Sequence, residues 1–244
     1  MTKRSRLVVL LILSLLSLAF LILSYRLVGR FTCTGFSTSG IPSSWSVESV
    51  LSKNIGKNTL FIGKRRILSY LSSLPYIERV TMKIEDGVLK VDGKSKDEAL
   101  LLYDGERLAL LTEDNVFHLD GKDYLGLEEK YMTVKVSSSV MDAAIEEKSS
   151  VLSPFVGVLS SSFSSFGLIT NAEYDNNKSS IFSGFLTINI PSLESTLTVE
   201  DMRMSENLGE ALSIIENEYL TSRERLSGEK REYILGSSRL MVKR

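Results

Sequence analysis

The sequence predicts an α+β fold in which a single N-terminal transmembrane helix precedes two domains. Three observations support this prediction. Residues 7–25 form an uncharged apolar run, short segments with alternating apolar residues predict strands, and apolar residues three and four positions apart predict amphipathic helices. We therefore expect a cytoplasmic tail at residues 1–6, a transmembrane helix at 7–25, a tether and first domain at 26–92, and a β-rich domain at 93–244.

The apolar run at residues 7–25 has the length that a membrane-spanning helix requires. Its nineteen residues would rise about 28 Å as an α-helix, close to the hydrocarbon thickness of about 30 Å. A cleaved signal peptide is the alternative, but its apolar region is normally about 7–15 residues long and precedes a small-residue cleavage site, which is absent after residue 25. Three basic residues precede the run and two follow it, which predicts an inner-membrane protein with a cytoplasmic N-terminus.

Charge and composition exclude several classes of function. The chain has 29 Lys and Arg against 30 Asp and Glu, and residues 1–30 hold five of the bases and none of the acids, so residues 31–244 are acidic. An acidic body has the wrong sign for a nucleic-acid groove. One His and one Cys can form neither an intrachain disulfide nor a zinc site built from those residue types. We expect no cofactor and no nucleic-acid partner.

The sequence contains no recognisable catalytic set, and we expect that the protein is not an enzyme. It has no G-x-S-x-G motif, and His118 is the only imidazole that could act as a base. His118 follows a predicted tight turn in a strand, where a surface position is expected. Gly121-Lys122-Asp123 lacks the other residues of a phosphate-binding loop. Adjacent acidic pairs lie in polar segments and are interpreted as solvated surface.

The first domain is predicted to contain a strand, two helices and two further strands. The second helix has Ile67, Leu68, Leu71 and Leu74 at helical spacing, and Pro75 stops it. Leu60, Phe61 and Ile62 are expected to form a compact apolar plug before that helix. The predicted elements are a strand near 31–36, a helix capped by Ser43 or Ser44, a helix at 64–73, and two strands joined by a turn at 85–87.

The second domain is predicted to be rich in strands, with one strongly amphipathic helix near its end. That helix carries Leu208, Leu212 and Ile215 on one face. The residues between 120 and 150 show the weakest pattern. The predicted elements are strands at 99–103, 107–111, 116–119, 131–136, 168–174, 182–190 and 196–202, a turn at 175–177, helices at 151–166 and 206–225, and terminal strands at 233–235 and 239–242.

The terminal strand offers a place where a partner could bind. A strand at the edge of a sheet has unpaired N–H and C=O groups, and an extended segment of a partner can add to it through main-chain hydrogen bonds. Arg239, Lys243 and Arg244 would attract an acidic partner. The alternative is that 239–244 is an internal strand with both of its sides covered.

Several segments resemble the bacterial cell-division family FtsQ/DivIB. Gly56–Phe61, the helix after it and Leu74–Val80 are similar to the "G-x-N-L-F … L-x-x-L-P-x-I-x-x-V" signature of the family's POTRA domain. Leu108–Phe117 (LALLTEDNVF) resembles a hairpin of that family. The segments LGEALSIIENEYL and REYILGSSRLMVKR are similar to its closing helix and strands. The resemblance implies a β-α-α-β-β POTRA domain in residues 26–92.

The resemblance also implies a function. Proteins of this family are non-enzymatic scaffolds of the division septum. Their POTRA domain contacts other division proteins, and their second domain binds the bitopic FtsB/DivIC and FtsL proteins by strand addition. Carried over to this sequence, the partner-binding residues are Tyr233, Ser238, Arg239, Leu240 and Val242.

Alternation along the last strand places Leu240 and Val242 on one face, and Arg239 and Met241 on the other. Two other functions remain open from the sequence. One is a membrane-anchored POTRA protein that acts in envelope protein transport or assembly. The other is an anchored hydrolase, which the absence of a nucleophile and base pair disfavours.

Overall fold

The computed structural model describes residues 12–22, 24, 31–166, 171–177, 180–191, 194–200, 205–222, 231–236 and 239–243. The described residues form an α+β protein with a large mixed sheet and a smaller sheet. Contacts divide the chain into two compact units. The first unit comprises Met1–Ile41 and Val47–Lys94, and the second comprises Pro42–Ser46 and Ser95–Arg244.

The N-terminal helix corrects the prediction of a transmembrane segment. The described part of this segment contains helix α1, at residues 12–22. Within the described ranges, no helix combines the length and the apolar character needed to cross a membrane. This finding contradicts the predicted single-pass topology and inner-membrane location, which required a membrane-spanning helix. The predicted tail at 1–6 lies outside the described residues.

The first unit is built on a three-stranded sheet with the order β1-β3-β2. Strand β1 runs parallel to β3. Strands β2 and β3 are joined at Asp86 and Gly87, and both of these residues have positive φ, as the turns that join tight hairpins require. The elements are β1 (Gly35–Ser39), α2 (Trp45–Ser52), a 3-10 turn (Thr59–Phe61), α3 (Lys64–Ser73), β2 (Ile77–Glu85) and β3 (Val88–Ser95).

Local sequence explains helix α3 and the turn before it. Ile67 and Leu71 lie four positions apart and are the buried residues of α3. The side chain of Asn58 caps the 3-10 turn by accepting a hydrogen bond from the Leu60 N–H at 2.9 Å. No residue of that turn is buried: Leu60 is 71% exposed and Phe61 is 84% exposed. The predicted apolar plug is therefore wrong for these two residues, and only Ile62 is buried.

The second unit contains a sheet of nine described strands in the order β12-β11-β10-β9-β8-β7-β4-β5-β6. The strands are β4 (Leu100–Tyr103), β5 (Leu108–Leu111), β6 (Val116–Leu119), β7 (Thr133–Lys135), β8 (Asn171–Asn177), β9 (Ser180–Ile190), β10 (Ser195–Val199), β11 (Glu232–Leu235) and β12 (Leu240–Lys243). The helices are α4 (Tyr124–Leu127), α5 (Ser138–Glu147), α6 (Val156–Phe166) and α7 (Ser205–Ser222).

The chain path follows from the direction of each strand pair. Parallel neighbours need a crossover connection, which is usually helical. Strands β7 and β8 are parallel, and α5 and α6 lie between them in the chain. Strands β10 and β11 are also parallel, and α7 connects them. The final pair, β11 and β12, is antiparallel and forms a hairpin.

The core of the second unit combines one face of the sheet with the apolar faces of α5, α6 and α7. Helix α7 contributes Leu208, Ala211, Leu212 and Ile215, which recur at helical spacing. The sequence did not predict α5, whose first turn is capped when the Ser137 hydroxyl accepts from the Val140 N–H. The predicted turn at 175–177 is also wrong, because those residues belong to β8.

Candidate partner-binding edge

Strand β12 lies at one end of the nine-stranded sheet. It pairs with β11 in antiparallel register, with Leu235 opposite Leu240 and Tyr233 opposite Val242. Within the part of the chain that the structure describes, no strand lies on the other side of β12. The side of β12 that faces away from β11 is therefore an open edge, of the kind to which another strand can add.

The hydrogen-bond pattern of the hairpin identifies the backbone groups that face this edge. The Gly236 N–H donates to the Arg239 carbonyl oxygen at 3.2 Å, so the ladder starts with a hydrogen-bonded pair at these two residues. In an antiparallel ladder such pairs recur at every second residue. Met241 therefore directs its N–H and C=O toward β11, and Leu240 and Val242 direct theirs to the open edge.

The side chains of β12 are mostly exposed. Leu240 is half-buried and packs against the core cluster. Val242 is 45% exposed and Met241 is 38% exposed. The Lys243 ammonium pairs with the Glu232 carboxylate on β11 at 3.1 Å. Beyond its backbone groups, this edge presents the partly exposed apolar side chains of Met241 and Val242.

Tyr233 lies beneath the edge. Its side chain is buried, at 1% exposure, and its hydroxyl donates to the Glu218 carboxylate on α7 at 3.3 Å. Burial and the negative charge of Glu218 raise the pKa of the Tyr233 phenol. Arg231 also pairs with Glu218. This network fixes β11 to α7 and places Tyr233 where it supports the hairpin.

The other proposed binding residues occupy different positions. Arg239 is exposed just before β12. Ser238 lies outside the described residues. The predicted alternation agrees with the register, because Leu240 and Val242 lie opposite the two buried residues of β11, whereas Met241 lies opposite Ile234.

A groove of about 260 Å³ lies beside the hairpin, between α7 and the open edge. Ile214 is exposed on its wall, whereas the adjacent Ile215 is buried in the core. The sequence predicted the buried face of α7 and missed Ile214, although the Ile214-Ile215 pair is a sign that one of the two must face outward. The groove is lined by Asn207, Glu210, Ala211, Ile214, Leu235, Arg239 and Leu240.

His118 lies at the opposite edge of the sheet, on β6, and its side chain is exposed. Among the residues that the structure describes, no group of three or more His, Cys, Asp or Glu side chains is arranged to hold a metal ion. No known family model matches the chain, and no curated protein is significantly similar to it in sequence.

Proposed function

We propose that the protein is a non-enzymatic scaffold of cell division, of the FtsQ/DivIB type, that binds other division proteins during septum formation. The observation that supports this proposal is the open edge of β12, together with the sequence resemblance of the closing helix and strands to that family.

The proposed partners of the edge are FtsB/DivIC-like and FtsL-like division proteins. An extended segment of the partner pairs with the outward N–H and C=O groups of Leu240 and Val242. Each main-chain hydrogen bond contributes about 0.5–1.5 kcal/mol net, so a few bonds give only part of a stable affinity. The exposed Met241 and Val242 side chains and the groove beside α7 provide apolar contacts for the rest.

The first unit has a separate role in this proposal. It binds further division proteins, so that the chain connects several partners at the septum. The two roles can be tested separately, because the residues concerned belong to different compact units.

A cellular experiment tests the function. Depletion of the protein should produce filaments or chains of undivided cells, and a fluorescent fusion should concentrate at the division site. Normal division after a clean deletion, in cells with no second copy of such a protein, would contradict the proposal. A uniform distribution of the fusion in dividing cells would do the same.

A biochemical experiment tests the partner. The purified full-length chain should form a complex with the FtsB/DivIC-like protein of the same cell. Hydrogen exchange of the complex should show protection of the Leu240 and Val242 amides, which face the open edge. Complex formation without protection of these amides would rule out strand addition at β12.

A further inference from the structure

The first unit contains a groove between helices α2 and α3 to which the proposed function assigns no ligand. Its volume is about 570 Å³, within the range of small binding pockets in proteins. It combines an apolar surface with a basic rim. The lining residues are Val50, Lys53, Asn54, Lys57, Phe61, Gly63, Arg66, Ile67 and Tyr70.

The charges of the groove have one sign. Lys53, Lys57 and Arg66 line it, and none of the described residues that line it is acidic. Lys57 donates to the neutral amide oxygen of Asn54 at 3.4 Å. Neither Lys53 nor Arg66 forms an ion pair with any other residue that the structure describes. This concentration of positive charge contrasts with the acidic composition of residues 31–244.

The apolar part of the groove is exposed to an unusual degree. Phe61 lines the groove and is 84% exposed. Leu60, which precedes it and lines a different groove, is 71% exposed. Tyr70 on α3 is also exposed and lines the same groove. The 3-10 turn capped by Asn58 holds the first two side chains outward, so their exposure is part of the ordered structure. Adjacent exposed apolar side chains with a polar rim are typical of protein interaction sites.

From these observations we infer that the α2–α3 groove binds a segment of a partner protein in which acidic residues flank one aromatic or aliphatic side chain. The apolar side chain packs against Phe61, Ile67 and Tyr70. The flanking carboxylates pair with Lys53 and Arg66, for which the described part of the chain supplies no ion-pair partner. This second docking surface stands independently of the β12 edge, because its residues lie in the first unit.

The combination of contacts favours a protein segment over other anions. Inorganic phosphate would use the cations but would leave the exposed aromatic rings without a contact. A flat membrane surface could contact the exposed Leu60 and Phe61 side chains. It could not enter the concave groove that is lined by the cations. A peptide with one apolar side chain and flanking acids satisfies both sets of groups.

A selection experiment with a matched counter-target tests the inference. A random peptide library is selected on the full-length wild-type chain and counter-selected on the double variant Lys53→Glu/Arg66→Glu. The expected peptides are rich in Asp and Glu around one Phe, Trp, Leu or Ile. A synthetic copy of such a peptide should bind the double variant and Phe61→Ala roughly tenfold more weakly or worse.

The control reverses two exposed cations of the same unit that lie outside the groove. Arg79→Glu/Lys83→Glu makes the same change in net charge on strand β2, and it should bind the selected peptide with nearly unchanged affinity. Equal losses for the two double variants would mean that only net charge matters, and would overturn the inference. Unchanged melting temperatures establish that each variant is folded.

Two further outcomes would overturn it. One is a selection whose wild-type-specific peptides carry no acidic residues, or that yields no such peptides. The other is binding that depends on Lys53 and Arg66 but is seen only with inorganic phosphate or with phosphatidylglycerol in phosphatidylcholine vesicles. A loss of peptide binding in Val242→Pro, with the groove variants unaffected, would place the peptide at the β12 edge instead.

Discussion

The two edges of the nine-stranded sheet differ in what their side chains do. Strands β6 and β12 each have four residues. In β6, Val116 and Leu119 are buried, whereas β12 has no buried residue. Strand β6 is therefore part of the core, whereas β12 lies at its margin and buries much less apolar surface.

The segments around the two edges explain the difference. Helix α5 packs against β6, and Lys96 lies over the Phe117 ring at 5.0 Å. Four residues after β6, the buried Asp123 accepts hydrogen bonds from the Ser46 N–H and hydroxyl, both at 2.7 Å. Strand β12, in contrast, pairs with β11 and lies beside the groove next to α7. An edge strand that contributes little to folding stability can bind a partner, because leaving it exposed in the unbound protein costs little free energy.

The largest expected effect tests the stability of the β6 edge. Leu119→Ala should lower the free energy of unfolding by about 2–5 kcal/mol, because Leu119 is buried and its removal leaves a cavity. Val242→Ala at the other edge should change it by no more than about 0.5 kcal/mol. Urea denaturation of the two variants measures both values. Equal losses would show that the two edges are equally part of the core.

The next effect concerns binding at β12. Val242→Pro removes an outward N–H and should weaken binding of the FtsB/DivIC-like partner by about tenfold, or about 1.4 kcal/mol. Val242 is preferred to Leu240 for this test because Leu240 also packs on the core. Val242→Ala keeps the N–H and should retain affinity to within about threefold. Similar losses in both variants would assign the contact to the side chain and not to the backbone.

A smaller effect is expected for the support beneath β12. Tyr233→Phe removes the hydrogen bond to Glu218 and should lower the free energy of unfolding by about 1 kcal/mol. Since Tyr233 is buried, partner affinity should fall less than in Val242→Pro. A calorimetric titration with the same partner makes the comparison. A larger loss of affinity for Tyr233→Phe would mean that the network with α7, and not the open edge, controls binding.

The smallest expected effect is a loss of folding stability at alkaline pH, which is not seen at neutral pH. Burial raises the pKa of the Tyr131 phenol well above its usual range, and its hydroxyl donates to the Lys96 carbonyl oxygen at 3.0 Å. In the unfolded chain tyrosine ionises at about pH 10. The stability from this group is therefore fully present below about pH 10 and is lost as pH rises further.

Tyr131→Phe should flatten that decline. Tyr233→Phe should flatten it less, because the pKa of Tyr131 is the one that is raised far above the usual value. Urea denaturation at several pH values from neutral to alkaline measures the slopes. Identical slopes for wild type and Tyr131→Phe would contradict this assignment.

Local patterns predicted much of the secondary structure. Helix α3 was predicted at 64–73 and β6 at 116–119, and both have these bounds in the structure. Their apolar spacing and flanking turn residues act within one element, so the sequence contains the whole signal. Helix α5 was missed because its capping Ser137 lies in a stretch of serines, where one cap cannot be distinguished from loop residues.

The sequence alone was a poor guide wherever the outcome depends on several segments. It identified Leu240 and Val242 as binding candidates, but it left open whether the last strand lies at an edge. The pairing of β12 with β11, and of β11 with β10, decides that question. The exposure of Phe61, and the grouping of Lys53 with Arg66, depend in the same way on how α2 and α3 pack.

Composition and periodicity determined the α+β class, the amphipathic face of α7 and the terminal hairpin strands, since each of these follows from the spacing of apolar residues along one segment. The tertiary structure decided the open edge of β12 and the basic groove of the first unit. Their physical origin is pairing and burial between residues distant in the chain, and the free energy of such contacts is not encoded in any one local pattern.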